Sequence, residues 1–146
     1  MKLSTKGKYG IKAMVDLALA YDEDSLVNLG TLADSQGISE AYLERILATL
    51  RNAGLVESVR GAFGGYRLLK APSNITVGEI LNTLEGTTSI IGCVDSEKKS
   101  KCGNAVFCSA RPLWLKLQSR IDEVLNTTTL KDMADDYAAQ LKSVKK

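Results

Sequence analysis

The sequence predicts a mainly α fold with a small β-hairpin wing, and three observations carry that expectation. Short amphipathic segments with capping residues recur along the chain, a two-helix pattern surrounds QGIS at 36–39, and a strand–glycine–strand signal follows at 55–69. Two helices joined by a tight turn and followed by such a hairpin make a winged helix-turn-helix.

The chain has 146 residues, 45% hydrophobic and 25% charged, enough for a core in one domain or in a small domain with an extension. No stretch approaches the roughly 20 apolar residues of a membrane span. The start, MKLSTKGKYGIKAMVDLALAY, places lysines before an apolar segment as a secretory signal does. Asp16 interrupts that segment and no small-residue cleavage site follows, so an amphipathic helix over 7–21 and a cytoplasmic protein without a membrane partner are expected. Tyr9, Ala13, Met14, Leu17, Ala18 and Tyr21 recur near helical spacing there.

Asn28 suits the cap of a helix over 29–36, and Ser39 the cap of one over 40–53, in which Leu43, Ile46, Leu47 and Leu50 are periodic until Gly54. Gly37 falls in the turn between them, and Leu32, Ala33, Ile38, Leu43 and Leu47 are spaced to pack the pair. In the hairpin, Val56, Val59, Tyr66 and Leu68 supply strand propensity, while Gly61, Gly64 and Gly65 permit a tight tip with exposed backbone. Thr76 caps a helix over 76–85 that Gly86 ends. Pro112 suits the first turn of a helix over 112–126, with Leu113, Leu117, Ile121 and Leu125 spaced for a helix–helix seam. Thr129 precedes a last amphipathic helix over 129–142. Residues 92–111 are polar and irregular, and hold every cysteine, which marks a functional loop.

Charge alone says little about partners, because the net value is +2 and residues 1–70 hold nine Lys/Arg against eight Asp/Glu. Its distribution says more. Lys2, Lys6, Lys8 and Lys12 stand together with no acid among the first twelve residues, a patch able to reach phosphates or simply a solvated basic terminus. In a winged helix-turn-helix the helix near 40–51 lies in the major groove, where Glu40, Ala41, Tyr42 and Glu44 are the residues able to reach base edges. A carboxylate accepts from the cytosine amino group, which makes Glu44 a direct reader or else an exposed residue paired with a basic neighbour. Arg60, at the wing tip, suits a narrow A·T-rich minor groove, the alternative being a solvated turn arginine.

Cys93, Cys102 and Cys108 follow the spacing C-x8-C-x5-C. An odd count in a cytosolic chain argues against a disulfide scaffold, and three thiolates within 16 residues suit a soft metal or an iron–sulfur cluster. Lys98, Lys99 and Lys101 favour the thiolate form nearby. A histidine base is lacking throughout the sequence, there is no P-loop, and GAFGGY follows no dinucleotide-binding arrangement, so an enzyme is not expected.

The segments KLSTKGKYGIKAMVDLA, QGISEAYLERILATLRNAGLVESVRGAFGGYRL and ITVGEILNTLEG resemble the IscR-type winged-helix transcription regulators, the iron–sulfur cluster regulator family with NsrR- and CymR-like relatives. The likeness covers nearly all of residues 1–126, and the VRG-x-x-GGY wing is its specific part. It implies that Glu44 and Arg60 contact base and groove, with Tyr42 in the same stretch of helix. Lys6, Gly61 and Gly64 complete the DNA-binding candidates. Ala41 stands where the family's iron–sulfur regulator has a serine, which removes one polar reader.

The resemblance further implies a homodimer on a palindromic operator, acting as a repressor, with the helix over 112–126 as a long dimerisation helix. Residues 1–72 are then a DNA-binding domain and 73–146 a cysteine-loop sensor and dimerisation region. Cys93, Cys102 and Cys108 would hold a 2Fe–2S cluster. The family's fourth ligand is a histidine three residues past the last cysteine, or an acidic residue near the partner's N-terminus. Arg111 and Lys8 stand at or near those places and are not ligands. The fourth donor is therefore an oxygen, with Asp95, Glu97 and Ser109 nearest, an external molecule, or none. A cluster-free thiol switch and a regulator answering to a partner protein are the other readings that the residues leave open.

Overall fold

The computed structural model describes residues 3–23, 25–91, 94 and 108–144. Its elements are α1 (Thr5–Leu19), α2 (Leu29–Gln36), α3 (Glu40–Asn52), β1 (Val56–Val59), β2 (Gly65–Leu68), α4 (Val77–Glu85), α5 (Arg111–Thr127) and α6 (Leu130–Val144). Single 3-10 turns lie at Tyr21–Glu23 and Pro72–Asn74. The fold is mainly α with a two-stranded antiparallel wing, as the sequence predicts.

Local chemistry sets most boundaries. The side chains of Asn28, Ser39 and Thr76 accept from the backbone N–H groups of Thr31, Tyr42 and Glu79, and so satisfy donors that a helix start leaves free. Gly37 closes α2 in the left-handed conformation (φ 66°), and Gly54 and Gly86 follow α3 and α4 at φ 79° and 81°. Thr129 and Asp132 cap α6 reciprocally, each backbone N–H donating to the other's side chain at 2.9 and 3.1 Å.

One expectation is corrected. The first helix begins at Thr5, because Ser4 caps it, and ends at Leu19 rather than 21. Along α5, Leu113 and Leu117 are exposed together with Val124, whereas Ile121 and Leu125 are half-buried.

One core unites the chain. Met14 and Leu17 of α1 pack with Leu32 of α2, with Leu43, Leu47 and Leu50 of α3, and with Leu55 and Val56 at the wing base. Ile75, Ile80 and Leu130 close the cluster from the C-terminal half. The starts of α4 and α6 are tied by a bridge between Thr76 and Thr129, where Val77 N–H donates to Thr128 at 3.0 Å and Leu130 N–H to Ile75 at 2.8 Å. Among the described residues no helix is long and apolar enough to cross a membrane.

Candidate nucleic-acid interface and cysteine loop

Helix α3 buries Leu43, Ile46, Leu47 and Leu50 and leaves Glu40, Ala41, Glu44 and Arg45 exposed near its start. These exposed residues, three of them charged, form a face free to enter a groove. Tyr42 is half-buried: its ring meets Tyr9 of α1 edge-on, centroids 6.2 Å apart, and Lys12 lies over the Tyr9 ring at 5.5 Å. Tyr42 therefore anchors the helix start to α1 as well as standing beside the exposed face.

The wing is held rigidly against this helix. β1 and β2 pair from Val56↔Leu68 to Val59↔Gly65, and Tyr66 exchanges two backbone hydrogen bonds with Val27 at 2.8 and 2.9 Å, which adds a third short edge. Arg51 of α3 donates to Ser58 Oγ of β1 at 3.2 Å. Burial pushes the Tyr66 hydroxyl above the usual phenol pKa, the Glu44 carboxylate adds to that, and Arg51 opposes it. The exposed Glu44 carboxylate of α3 is thus close enough to the wing tyrosine to act on it electrostatically.

At the wing tip Arg60, Gly61, Ala62 and Phe63 are exposed. Gly64 N–H donates to the Gly61 carbonyl at 3.0 Å, Gly61 has φ 119°, and a Cβ at Gly64 would strike the Val59 carbonyl. Both glycines are thus required by the turn that presents Arg60.

The basic N-terminus is built differently from a bare helix start. Ser4 donates its N–H at 3.1 Å, and its hydroxyl, to Glu85 at the end of α4. A Cβ at Gly7 would collide with the same carboxylate, so glycine there lets the two helices meet. Lys6 is half-buried, while Lys8 and Lys12 are exposed. The acid at this helix start was not found in the sequence, because it comes from 81 residues away.

Of the three cysteines only Cys108 lies among the described residues. It is half-buried immediately before α5, and its carbonyl accepts from Arg111 N–H at 3.3 Å. Cys93 and Cys102, with Asp95 and Glu97, lie outside the described residues; Ser109 is exposed. Arg111 Nε is buried without a hydrogen-bond partner among the described residues. An unpaired guanidinium donor three residues from a thiol suits an anionic sulfur centre. By chemistry alone, the three thiols of the sequence would supply three of the four terminal ligands of a 2Fe–2S cluster and leave the fourth open; the described residues include only Cys108 of the three.

The other end of the loop is fixed by Gln118, the one residue of α5 among its described positions that is buried. Its carbonyl oxygen accepts from Ile90 N–H at 2.7 Å, and its amide donates to the Thr88 carbonyl at 3.3 Å and to Asp122 at 2.8 Å. Both ends of the cysteine loop thus meet the same helix. Nothing in the local spacing marks Gln118, which reads as one more polar residue of an amphipathic helix.

This geometry, a glycine-tipped wing braced against an exposed helix face, defines a winged-helix DNA-binding regulator. Residues 3–136 match the Rrf2 family, described as an iron-dependent transcriptional regulator. The chain is 42% identical over 134 residues to the HTH-type transcriptional regulator CymR of Bacillus subtilis, covering 92% of this chain and 90% of that one. The solved structure of that protein, described as the global cysteine regulator, aligns with a TM-score of 0.77 at 41% identity over 92% of this chain and 97% of the other. Similarity to the HTH-type regulator IscR of Photobacterium profundum is 39% over 140 residues, 96% of this chain and 79% of that one. An oxidized form of Staphylococcus aureus CymR aligns with a TM-score of 0.72 at 36% identity, covering 92% and 96%. The chain belongs to the Rrf2 family, and its function at that level is regulation of transcription through DNA binding.

Proposed function

We propose that the chain is a homodimeric transcription repressor, acting in the cytoplasm on a palindromic operator, whose three cysteines hold a 2Fe–2S cluster as the sensing group. Residues 1–72 form its DNA-binding half and 73–146 its sensor and dimerisation half. Glu44 reads a base edge, Arg60 enters the minor groove, Tyr42 positions the α3 start, and Gly61 and Gly64 shape the wing. Lys6 adds a phosphate contact near the start of α1.

The single observation that carries the reading is the position of α5. Cys108 leads into this helix, Gln118 ties the other end of the cysteine loop to it, and Leu113, Leu117 and Val124 leave an apolar stripe exposed. Such a stripe suits pairing with its copy about a two-fold axis. Two α3 helices would then face the DNA about 34–36 Å apart.

Bound at Cys93, Cys102 and Cys108, the cluster supplies an iron centre whose gain or loss reports on iron and oxidants. The remaining work is the chain's own. Cys108 and Gln118 pass a change in the loop to α5, and Glu85 passes it through Ser4 to α1, against which Tyr42 sets the angle of α3. The family's description as iron-dependent supports this assignment.

A second reading, reversible oxidation of the same cysteines without a cluster, is favoured by the lack of any histidine and by the similarity to a CymR solved in an oxidized form. Protein prepared without oxygen separates the two by iron and acid-labile sulfide analysis with visible absorbance and Mössbauer spectra. About two irons and two sulfides per chain with a visible chromophore are expected. Absence of both after anaerobic reconstitution would leave the thiol switch. Sedimentation equilibrium is expected to give a dimer that Val124→Asp converts to monomer; a wild-type monomer would remove the two-fold operator.

A further inference from the structure

The wing tip carries an apolar side chain that the fold does not use. Phe63 is 95% exposed, whereas the other exposed large hydrophobics among the described residues lie between 37% and 61%, apart from Val144 at the chain's end. The ring is not on a loose loop. The turn beneath it is closed by the Gly64-to-Gly61 hydrogen bond of 3.0 Å, β1 and β2 pair up to Val59↔Gly65, and Arg51 braces Ser58 from α3. A stiff stem therefore holds a bare phenyl group in water, where its burial contributes nothing to stability.

The surroundings of the ring indicate what would cover it. Its neighbours on the turn are Arg60, Gly61, Ala62 and Gly64, so one large apolar side chain and one cation share a narrow tip that otherwise carries small residues, unlike the broad apolar patch that protein partners use. A cation and a lone ring on a thin tip match the demands of a DNA minor groove. Narrow A·T-rich segments attract the guanidinium, and apolar side chains such as phenylalanine insert between base steps.

The geometry points to Phe63 as a wedge: in the DNA complex its ring enters the minor groove beside Arg60 and partly unstacks one base step, favouring a flexible pyrimidine–purine step there. The inference rests on the DNA-binding reading of the wing and adds a source of sequence preference that charge contacts do not supply. A wedge resists salt, unlike the Arg60 contact, because no counterion is released by an apolar ring.

The probe is a duplex selected by the wild-type chain from a random-sequence pool, carrying 2-aminopurine at the step next to the wing-proximal A·T segment. Wild type is expected to raise 2-aminopurine emission on binding. Phe63→Ala is expected to abolish that rise and to weaken binding about tenfold with the salt slope unchanged, and Phe63→Leu to retain part of both. Binding and emission in Phe63→Ala equal to wild type would overturn the wedge alone, as would wild-type binding without an emission rise. Loss of dimer, not of emission, in Phe63→Ala would assign the ring to a protein contact and overturn it too. A wild-type chain that enriches no sequence overturns the DNA-binding reading itself, and the wedge with it.

Discussion

The roles proposed for Arg60 and Glu44 differ in ways that binding measurements separate. Arg60 stands exposed on a turn that two glycines shape, which would let its guanidinium meet DNA with little reorganisation. Arg60→Ala is expected to lower the slope of log affinity against log salt by about one and to weaken binding to most sequences alike. Glu44 is exposed on α3 and offers an acceptor rather than a cation. Glu44→Ala should leave the salt slope nearly unchanged and relax preference at one base pair, worth about 1–3 kcal/mol of discrimination. Fluorescence anisotropy across salt and across single-base variants of a selected duplex measures both. The exposure of both residues was legible, because each is charged and lies off the apolar positions of its element. Tyr42 was only half legible: its place on the groove-facing stretch follows from the sequence, but its packing on Tyr9 depends on how α1 crosses α3.

The six α-helices and the hairpin were legible because their ends are written in local chemistry. Asn28, Ser39 and Thr76 each bond a backbone donor three residues on, and a glycine at positive φ stops α2, α3 and α4. The start of α1 was misjudged by two residues, since the cap at Ser4 is completed by Glu85 from another helix. On α5 periodicity shows an apolar stripe but not which of its residues the rest of the chain half-covers, here Ile121 and Leu125. The cap of α6 offers a clean test at this scale. Thr129 donates its backbone N–H to Asp132, and its contacts hold that carboxyl below the usual aspartate range. A lowered folded-state pKa contributes stability above the unfolded value near 4, and that contribution is lost as pH falls through the folded value. Thr129→Ala is expected to cost about 1 kcal/mol in urea unfolding at neutral pH. In an NMR titration Thr129→Gly, which keeps the backbone N–H and loses the hydroxyl, should move the Asp132 midpoint part of the way up toward that of an unstructured aspartate; an unmoved midpoint would show that the hydroxyl does not help to hold the carboxyl.

Across the whole molecule, elements on either side of the cysteine loop are tied by side chains that no sequence motif announces. Gln118 holds Thr88 and Ile90, just before the loop, on α5, Cys108 leads into the same helix, and Glu85 fixes the end of α4 to the start of α1. Long-range polar contacts of this kind arise only once the core has brought α1, α4 and α5 together, so periodicity and spacing do not reveal them. Gln118→Ala leaves Ile90 N–H and the Thr88 carbonyl without their partner and is expected to destabilise the chain by about 1–3 kcal/mol. It should also weaken the dependence of DNA affinity on the state of the cysteines while leaving the affinity of cluster-free protein within about twofold of wild type. An undiminished dependence would place the coupling elsewhere.

Whether the cysteines govern DNA binding is decided by the affinity for one selected duplex at fixed salt, read for three oxygen-free samples. These are the reconstituted protein, the same protein stripped of iron, and a variant with Cys93, Cys102 and Cys108 all changed to serine. The reconstituted sample is expected to differ from the other two by at least about tenfold, with the stripped protein and the serine variant alike. Equal affinity in all three samples would rule out cluster-dependent binding, leaving a DNA-binding winged helix whose cysteines do not govern it.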